Sequence, residues 1–224
     1  MVVHCCNLLR RNRDKLGTFS GLVVGCGNGD EVVFMRRSLH TQAVVGVDLH
    51  ADFSPAARDE GCVLLGNAER LPFRSDDFDF AAAFHSLEHV SDPQVTLNEI
   101  QRVLRPGGLF YMGVPNRSRV LGYLGAFDAT PWQKITWNLT DWGARLRGRF
   151  RNELGAHAGF SRQEIISLLG QRFSEVQLLT ADFLRFKYAE RLPRAVLNAL
   201  LASPVIDYSA AAHYAICRKK EKAS

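Results

Sequence analysis

The feature that most constrains this chain is the stretch Gly-Leu-Val-Val-Gly-Cys-Gly-Asn-Gly-Asp over residues 21–30. Leu22, Val23 and Val24 are apolar without alternation. Such a run suits a strand buried on both faces, as in a parallel sheet covered by helices. Three glycines follow, where the backbone can turn tightly and approach a ligand with no Cβ in the way. Residues 30–39 then have helical character, with Asp30 and Glu31 suited to a first turn.

The unit recurs. Residues 43–47 read as a second strand ending at Asp48, 62–65 as a third ending at Gly66-Asn67, and 78–84 as a fourth. Residues 93–104 make a helix carrying Val95, Ile100, Val103 and Leu104. Arg105-Pro106-Gly107-Gly108 is expected to stop it, and 109–114 is a fifth strand. Strands alternating with helices over short loops predict an α/β fold: a Rossmann-like, doubly wound, mostly parallel sheet. Ligands of such sheets sit at the carboxyl ends of the strands, near the switch in strand order. The glycines, Asp48, Asn67 and His85 all fall at expected strand ends.

Spacing narrows the ligand. A dinucleotide loop, Gly-x-Gly-x-x-Gly, needs a glycine where this chain has Asp30, followed by Glu31. Two carboxylates compete with a pyrophosphate for the positive end of the helix. They are compatible with a ligand bearing a sulfonium and an ammonium group, so a nicotinamide-dependent oxidoreductase is the weaker reading. Asp48 lies about twenty residues past the glycines, where an acid can accept both ribose hydroxyls. The plain alternative is a turn or helix-capping aspartate.

Six segments stand in a telling order: Val-Val-Gly-Cys-Gly-Asn-Gly-Asp, Val-Val-Gly-Val-Asp-Leu, Gly-Asn-Ala-Glu-Arg-Leu-Pro-Phe, Asp-Asp-Phe-Asp-Phe, Ser-Leu-Glu-His-Val and Glu-Ile-Gln-Arg-Val-Leu-Arg-Pro-Gly-Gly. Together they resemble the class I S-adenosylmethionine-dependent methyltransferases, particularly the small-molecule branch typified by ubiquinone and menaquinone biosynthesis enzymes. The resemblance covers residues 22–116, with weaker echoes to about 169. It implies S-adenosyl-L-methionine as cofactor, S-adenosyl-L-homocysteine as product, and a last strand running antiparallel. Carried onto this chain, it implies that Gly25, Cys26, Gly27 and Gly29 wrap the methionine part. Asp48 would hold the ribose and Leu49 lie against the adenine, whose edge Asn67 and Ala68 would address. Phe84 and His85 would lie beside the methionine end and the acceptor, with Leu87, Glu88 and His89 shaping the pocket floor. His157 and Phe160-Ser161 echo a His-x-x-Phe-Ser/Thr pattern before a late helix. Two positions depart from the family. Val23 stands where an acid usually organises the methionine amino group. Asn67 replaces the usual Asp, and its amide oxygen accepts from the adenine amino group without charge assistance.

The chemistry implied asks little of the protein. The sulfonium is already activated, so catalysis is mainly alignment for in-line attack, with a base only where the acceptor is a hydroxyl. His85 is the first candidate catalytic base and His89 the second; the bland reading of each is a hydrogen-bonded packing histidine. No metal is expected, because the sulfonium needs no Lewis acid and His4-Cys5-Cys6 has no second ligand cluster. A non-catalytic module that binds S-adenosylmethionine is the alternative that Val23 leaves open.

The acceptor is expected to be a small molecule, apolar or lipid-like. Enzymes acting on nucleobase or glutamine amines usually carry Asn/Asp-Pro-Pro-aromatic where this chain has Phe84-His85-Ser86-Leu87, and no nucleic acid partner is expected. Residues 117–158 break the alternating pattern. Trp132, Ile135, Leu139, Trp142, Leu146 and Phe150 recur at steps of three or four. The same segment has seven Lys or Arg against three Asp or Glu, so +4 of the chain's net +5. Gly143 and Gly148 weaken a continuous helix there. A lid whose stripe faces the cofactor pocket is the preferred reading; a peripheral contact with anionic membrane is the other. Beyond it, a helix over 162–169, a strand over 175–179, a helix over 193–201 and a strand over 213–218 complete one expected domain of residues 1–224. No run of about 18 apolar residues appears. The five cysteines form no C-x-x-C pair, and a reduced, cytoplasmic protein is expected.

Overall fold

The computed structural model describes residues 1–12, 19–123, 129–152 and 157–221. Seven strands are present: β1 (Gly21–Val24), β2 (Val44–Asp48), β3 (Val63–Leu65), β4 (Phe78–Phe84), β5 (Leu104–Pro115), β6 (Phe173–Leu178) and β7 (Ala212–Lys219). They form one sheet in the order β3-β2-β1-β4-β5-β7-β6. The first five are mutually parallel, and β7 runs antiparallel to both β5 and β6. The helices are α1 (Val2–Arg11), α2 (Asp30–Leu39), α3 (Pro55–Asp59), α4 (Pro93–Val103), α5 (Pro131–Leu146), α6 (Arg162–Gly170), α7 (Thr180–Tyr188), α8 (Arg194–Leu201) and α9 (Ile206–Ser209). This is the Rossmann-like, mostly parallel α/β sheet with a final antiparallel strand.

The unbroken apolar strands follow from burial on both faces. Val23, Phe80, Ala82 and Tyr111 point to one side, against Cys5 and Leu9 of α1, Val32 and Met35 of α2, and Phe183 of α7. Leu22, Val24, Ala81 and Phe110 point to the other, against Leu97 and Ile100 of α4 and Ile165 and Leu169 of α6. Each buried Val, Leu, Ile, Phe or Met among them contributes about 1.5–3 kcal/mol on leaving water. Strand order reverses at β1, which pairs with β2 on one edge and β4 on the other.

The fold differs from the sequence expectation in three ways. First, α1, α3, α7 and α9 form where no element was expected. α1 buries His4, Cys5, Cys6 and Leu9, and His4 Nδ1 lies 3.2 Å from the Tyr111 hydroxyl. The five cysteines are free and buried, so His4-Cys5-Cys6 packs as core. Second, Arg105-Pro106-Gly107-Gly108 follows the end of α4 at Val103, as expected, but β5 begins earlier than residue 109, at Leu104, and takes the segment in. Pairing passes from Phe78–Leu104 to Phe80–Leu109 across a bulge, and the Arg105 guanidinium holds Asp79 at 2.7 Å.

Third, α5 is turned the other way. Its buried residues are Asn138 and Asp141, while Trp132 is 77% and Leu146 90% exposed, and Ile135, Leu139 and Trp142 are open as well. The reason is the surface beneath it. The Gly122 N–H donates to Asn138 Oδ1 at 2.7 Å, and Asn138 Nδ2 donates to the Gly122 carbonyl at 3.2 Å. Arg119 and the Tyr123 hydroxyl meet the two oxygens of Asp141 at 2.8 and 3.2 Å. Arg145 donates to the carbonyls of Arg117 and Arg119. Buried polar groups need partners, and these exist only on the polar side of α5. The lid with an inward stripe is therefore corrected. Of the six stripe residues only Phe150 is buried, its ring under the Arg145 guanidinium at 4.0 Å. Gly143 does not interrupt the helix. Among the described residues no helix is long and apolar enough to cross a membrane.

Candidate active site

At the switch point the glycine loop leaves β1 and passes directly beneath the loop after β4. The Gly25 and Cys26 N–H groups both donate to the Val47 carbonyl, at 2.8 and 3.1 Å. A Cβ on Gly25 would stand 2.3 Å from Ser86 Cβ, and its φ is +69°, so glycine is required twice over. Ser86 closes the same contact by donating to the Val24 carbonyl at 2.7 Å. Gly27, at φ +53°, faces open space on its Cβ side and donates its N–H to Asp48 Oδ2 at 2.8 Å. Asp48 Oδ1 accepts from the His50 N–H at 3.0 Å. The carboxylate at the end of β2 thus holds the loop that β1 releases.

These residues wall a cavity of about 630 Å³. Gly25, Cys26, Gly27, Asp48, Leu49, Asn67, Ala68, Phe84, His85 and His89 all line it. Gly29 does not. It is the N-cap of α2 at φ +84°, packed against Ala57 and Val63, and shapes the loop from outside. Leu49 is 61% exposed, an apolar lip. Asn67 Oδ1 accepts from the Glu69 N–H at 2.8 Å, which fixes the amide. Burial, reinforced by Asp48, pushes the Cys26 thiol up to about 12, so it stays a protonated packing group. Val23 is fully buried in the core.

Glu31, which sequence reasoning placed in the first turn of α2 beside the ligand's positive groups but did not count among the site residues, also lines the cavity. It opens α2 and reaches the cavity, and burial raises its carboxyl above the usual range. A half-buried carboxylate at a cavity wall suits a cationic ligand group. The signal was its place directly after the glycine loop.

His85 ends β4 with φ +53°, held by its N–H donating to the Gly113 carbonyl at 2.8 Å. Its Nδ1 lies 3.6 Å from Oε1 of Glu88, whose side chain is 1% exposed, and His89 Nε2 lies 4.0 Å from the same oxygen. Glu88 Oε2 has no hydrogen-bond partner among the described residues. The His89 and His157 rings meet edge to face at 4.9 Å. Ser161 caps α6 in a capping box with Glu164, and Phe160 is buried.

On its other side His85 lines a second cavity, also about 630 Å³. Its walls are Pro115, Tyr123, His157, Phe183, Phe186 and Tyr214, with Arg119, Lys187 and Arg191 as its charged members. Phe183, Leu184, Phe186, Lys187 and Tyr188 of this lining come from α7, which the sequence reading did not anticipate.

Sheet order, glycine loop and strand-end acid define a class I, Rossmann-like methyltransferase fold, and residues 22–112 match the family model described as "Methyltransferase domain". Over those residues the chain is similar to S-adenosylmethionine-dependent methyltransferases, quinone-biosynthesis enzymes among them. It is 34% identical over 159 residues to an uncharacterized 37.1 kDa protein in transposon TN4556 of Streptomyces fradiae, covering 66% of this chain and 45% of that protein. It is 25% identical over 175 residues to demethylmenaquinone methyltransferase of Oceanobacillus iheyensis, covering 67% and 73%. The chain spans about half or less of the length of the first curated relatives it matches. The fold is shared with a SAM-dependent methyltransferase of Thermotoga maritima, described as a possible histamine N-methyltransferase. That match has TM-score 0.54 at 22% identity over 95% of this chain and 87% of that one.

Proposed function

We propose that residues 1–224 work as one S-adenosyl-L-methionine-dependent methyltransferase unit acting on a small, apolar acceptor, with 117–158 as an insert on the acceptor side. The observation that carries this reading is that His85 belongs to both cavities, one lined by the glycine loop with Glu31 and Asp48, the other by aromatic side chains with Arg119, Lys187 and Arg191. A larger groove of about 810 Å³ beside His89 is walled by Asp92, Gln94, Arg117, Asn152 and Glu164, a poorer match to an apolar body. The named activity of the Oceanobacillus relative, on demethylmenaquinone, agrees with an apolar acceptor.

The first cavity fits the cofactor. Asp48 holds the ribose, Asn67 and Ala68 address the adenine edge, and Leu49 covers its face. Gly25, Cys26 and Gly27 leave room for the methionine part. Glu31 supplies the carboxylate for its ammonium that Val23 lacks. When bound, S-adenosyl-L-methionine supplies a methyl group already activated on a sulfonium and leaves as S-adenosyl-L-homocysteine. The chain aligns the acceptor and keeps out water, which is worth most when the reacting atoms are held in line. His85 Nε2 takes the proton of a hydroxyl acceptor, and Glu88, buried behind it, positions the ring and balances the imidazolium. His89 is the second base. No metal takes part, and no nucleic acid is bound.

Calorimetry and transfer of a labelled methyl group to quinols and phenols of graded apolar size test this. Binding of S-adenosylmethionine but not of nicotinamide cofactor is expected, with turnover that persists after chelation. Tight cofactor binding with no label moved to any acceptor would assign the chain to non-catalytic binding instead.

A further inference from the structure

The orientation of α5 has a use that neither cavity needs. A globular helix normally turns its apolar stripe to the core and its polar face to water. α5 does the reverse: Asn138 and Asp141 face inward, and Trp132, Ile135, Leu139, Trp142 and Leu146 face out. The apolar surface extends past the helix. Trp142 Nε1 donates to the Val120 carbonyl at 2.8 Å, and Val120 and its neighbour Leu121 are 54% and 45% exposed. Contiguous exposed apolar surface of this kind marks a place of contact.

Charge identifies what it contacts. Residues 131–151 carry Lys134, Arg145, Arg147, Arg149 and Arg151 against one acid, Asp141, so +4. Asp141 is buried on Arg119. Arg147, Arg149 and Arg151 are exposed, beside the end of the stripe, and make no ion pair among the described residues. The outward surface of α5 therefore offers apolar area and positive charge with no carboxylate. A second copy of the same surface would bring positive charge to positive charge. An anionic bilayer meets both demands: the stripe enters the acyl boundary, tryptophans sit at the headgroup level, and the arginines meet phosphates.

We propose that the outward face of α5, with Val120 and Leu121 beside it, seats this protein on the surface of an anionic membrane. The seat is independent of what either cavity binds. It lies against the acceptor side of the molecule, because the inner face of α5 is pinned by Arg119 and Tyr123, which both line the second cavity. Its long axis lies along the surface, as the helix is too short to span.

The test is co-sedimentation with phosphatidylcholine vesicles, with and without phosphatidylglycerol, as salt is raised. Binding is expected only with phosphatidylglycerol, and it should fall steeply toward about 0.5 M salt. Arg147→Gln/Arg149→Gln/Arg151→Gln should weaken it about a hundredfold, from roughly fivefold per arginine at the surface. Trp132→Ser/Leu139→Ser/Leu146→Ser should also release the protein. These three side chains are largely exposed, so the melting temperature should hold, and S-adenosylmethionine affinity, measured separately, reports on the cofactor site. No binding to anionic vesicles at low salt overturns the proposal. So does binding that ignores the serine variant, or a dimer by light scattering that the serine variant dissociates.

Discussion

Asp48→Ala separates a ligand contact from a structural one. In the structure the carboxylate accepts from the Gly27 N–H at 2.8 Å and the His50 N–H at 3.0 Å, both at the exposed lip of the cavity. Water replaces a carboxylate readily at such N–H groups, so the cost to folding should stay near the lower end of a hydrogen bond's net worth, about 0.5 kcal/mol each. Loss of the charge-assisted bonds to a ribose should cost about 1.5–3 kcal/mol. At 1.4 kcal/mol per factor of ten, S-adenosylmethionine affinity then falls by about tenfold to a hundredfold. Relaxation of the Gly27 loop adds to the loss, since the same oxygen anchors it. Asp48→Asn should fall between, because its amide keeps one acceptor and turns a donor toward one of the two N–H groups. Isothermal titration calorimetry gives the affinities and thermal unfolding the stability. An unchanged Kd in Asp48→Ala would remove Asp48 from the binding site, and a loss of affinity matched by collapse of the melting temperature would make it a structural anchor only.

Glu31→Gln should weaken cofactor binding by about tenfold or more if the carboxylate holds the ammonium. In the wild type, burial raises the Glu31 pKa, so affinity should climb as pH rises through that raised value and level off above it, whereas the glutamine variant loses this dependence. The same raised pKa makes the ionised form a burden on the apo fold, absent at pH below the unfolded value and complete once pH passes the folded one. Arg119→Leu strands the Asp141 carboxylate beneath α5 and should cost about 3–5 kcal/mol in urea unfolding, while Arg119→Leu/Asp141→Leu should cost clearly less. With Asp141→Leu alone to close the cycle, single losses that simply add up to the loss in the double variant would show that the pair is not coupled.

The cofactor side of the molecule was legible because its logic is local. A parallel strand buried on both faces must be an apolar run, and the turn that follows must contain glycine where β4's loop approaches, so Gly25, Asp48, Asn67 and His85 fell where strand ends predicted. Gly29 was misplaced because spacing alone does not distinguish a glycine facing the ligand from one capping α2. The acceptor side was illegible for the opposite reason. α7 contributes Phe183 and Phe186 through packing on β7 and α1, partners distant in sequence. Periodicity found the stripe of α5, but its direction is decided by Gly122, Arg119 and Tyr123, and a helical wheel cannot see them. Pro106 and Gly107 marked the end of α4 correctly, but not that β5 starts as early as Leu104, which its pairing with Phe78 of β4 decides.

His85 carries one more consequence. A side chain at φ +53° costs about 1–2 kcal/mol relative to glycine, and the sheet sustains it through the Gly113 bond. Glycine would fit that backbone better than the residue that is there. Selection for heat tolerance alone would then drift toward His85→Gly, and would empty both cavities of the imidazole they share. Position 85 is where durability and the role proposed for the imidazole pull this chain in opposite directions.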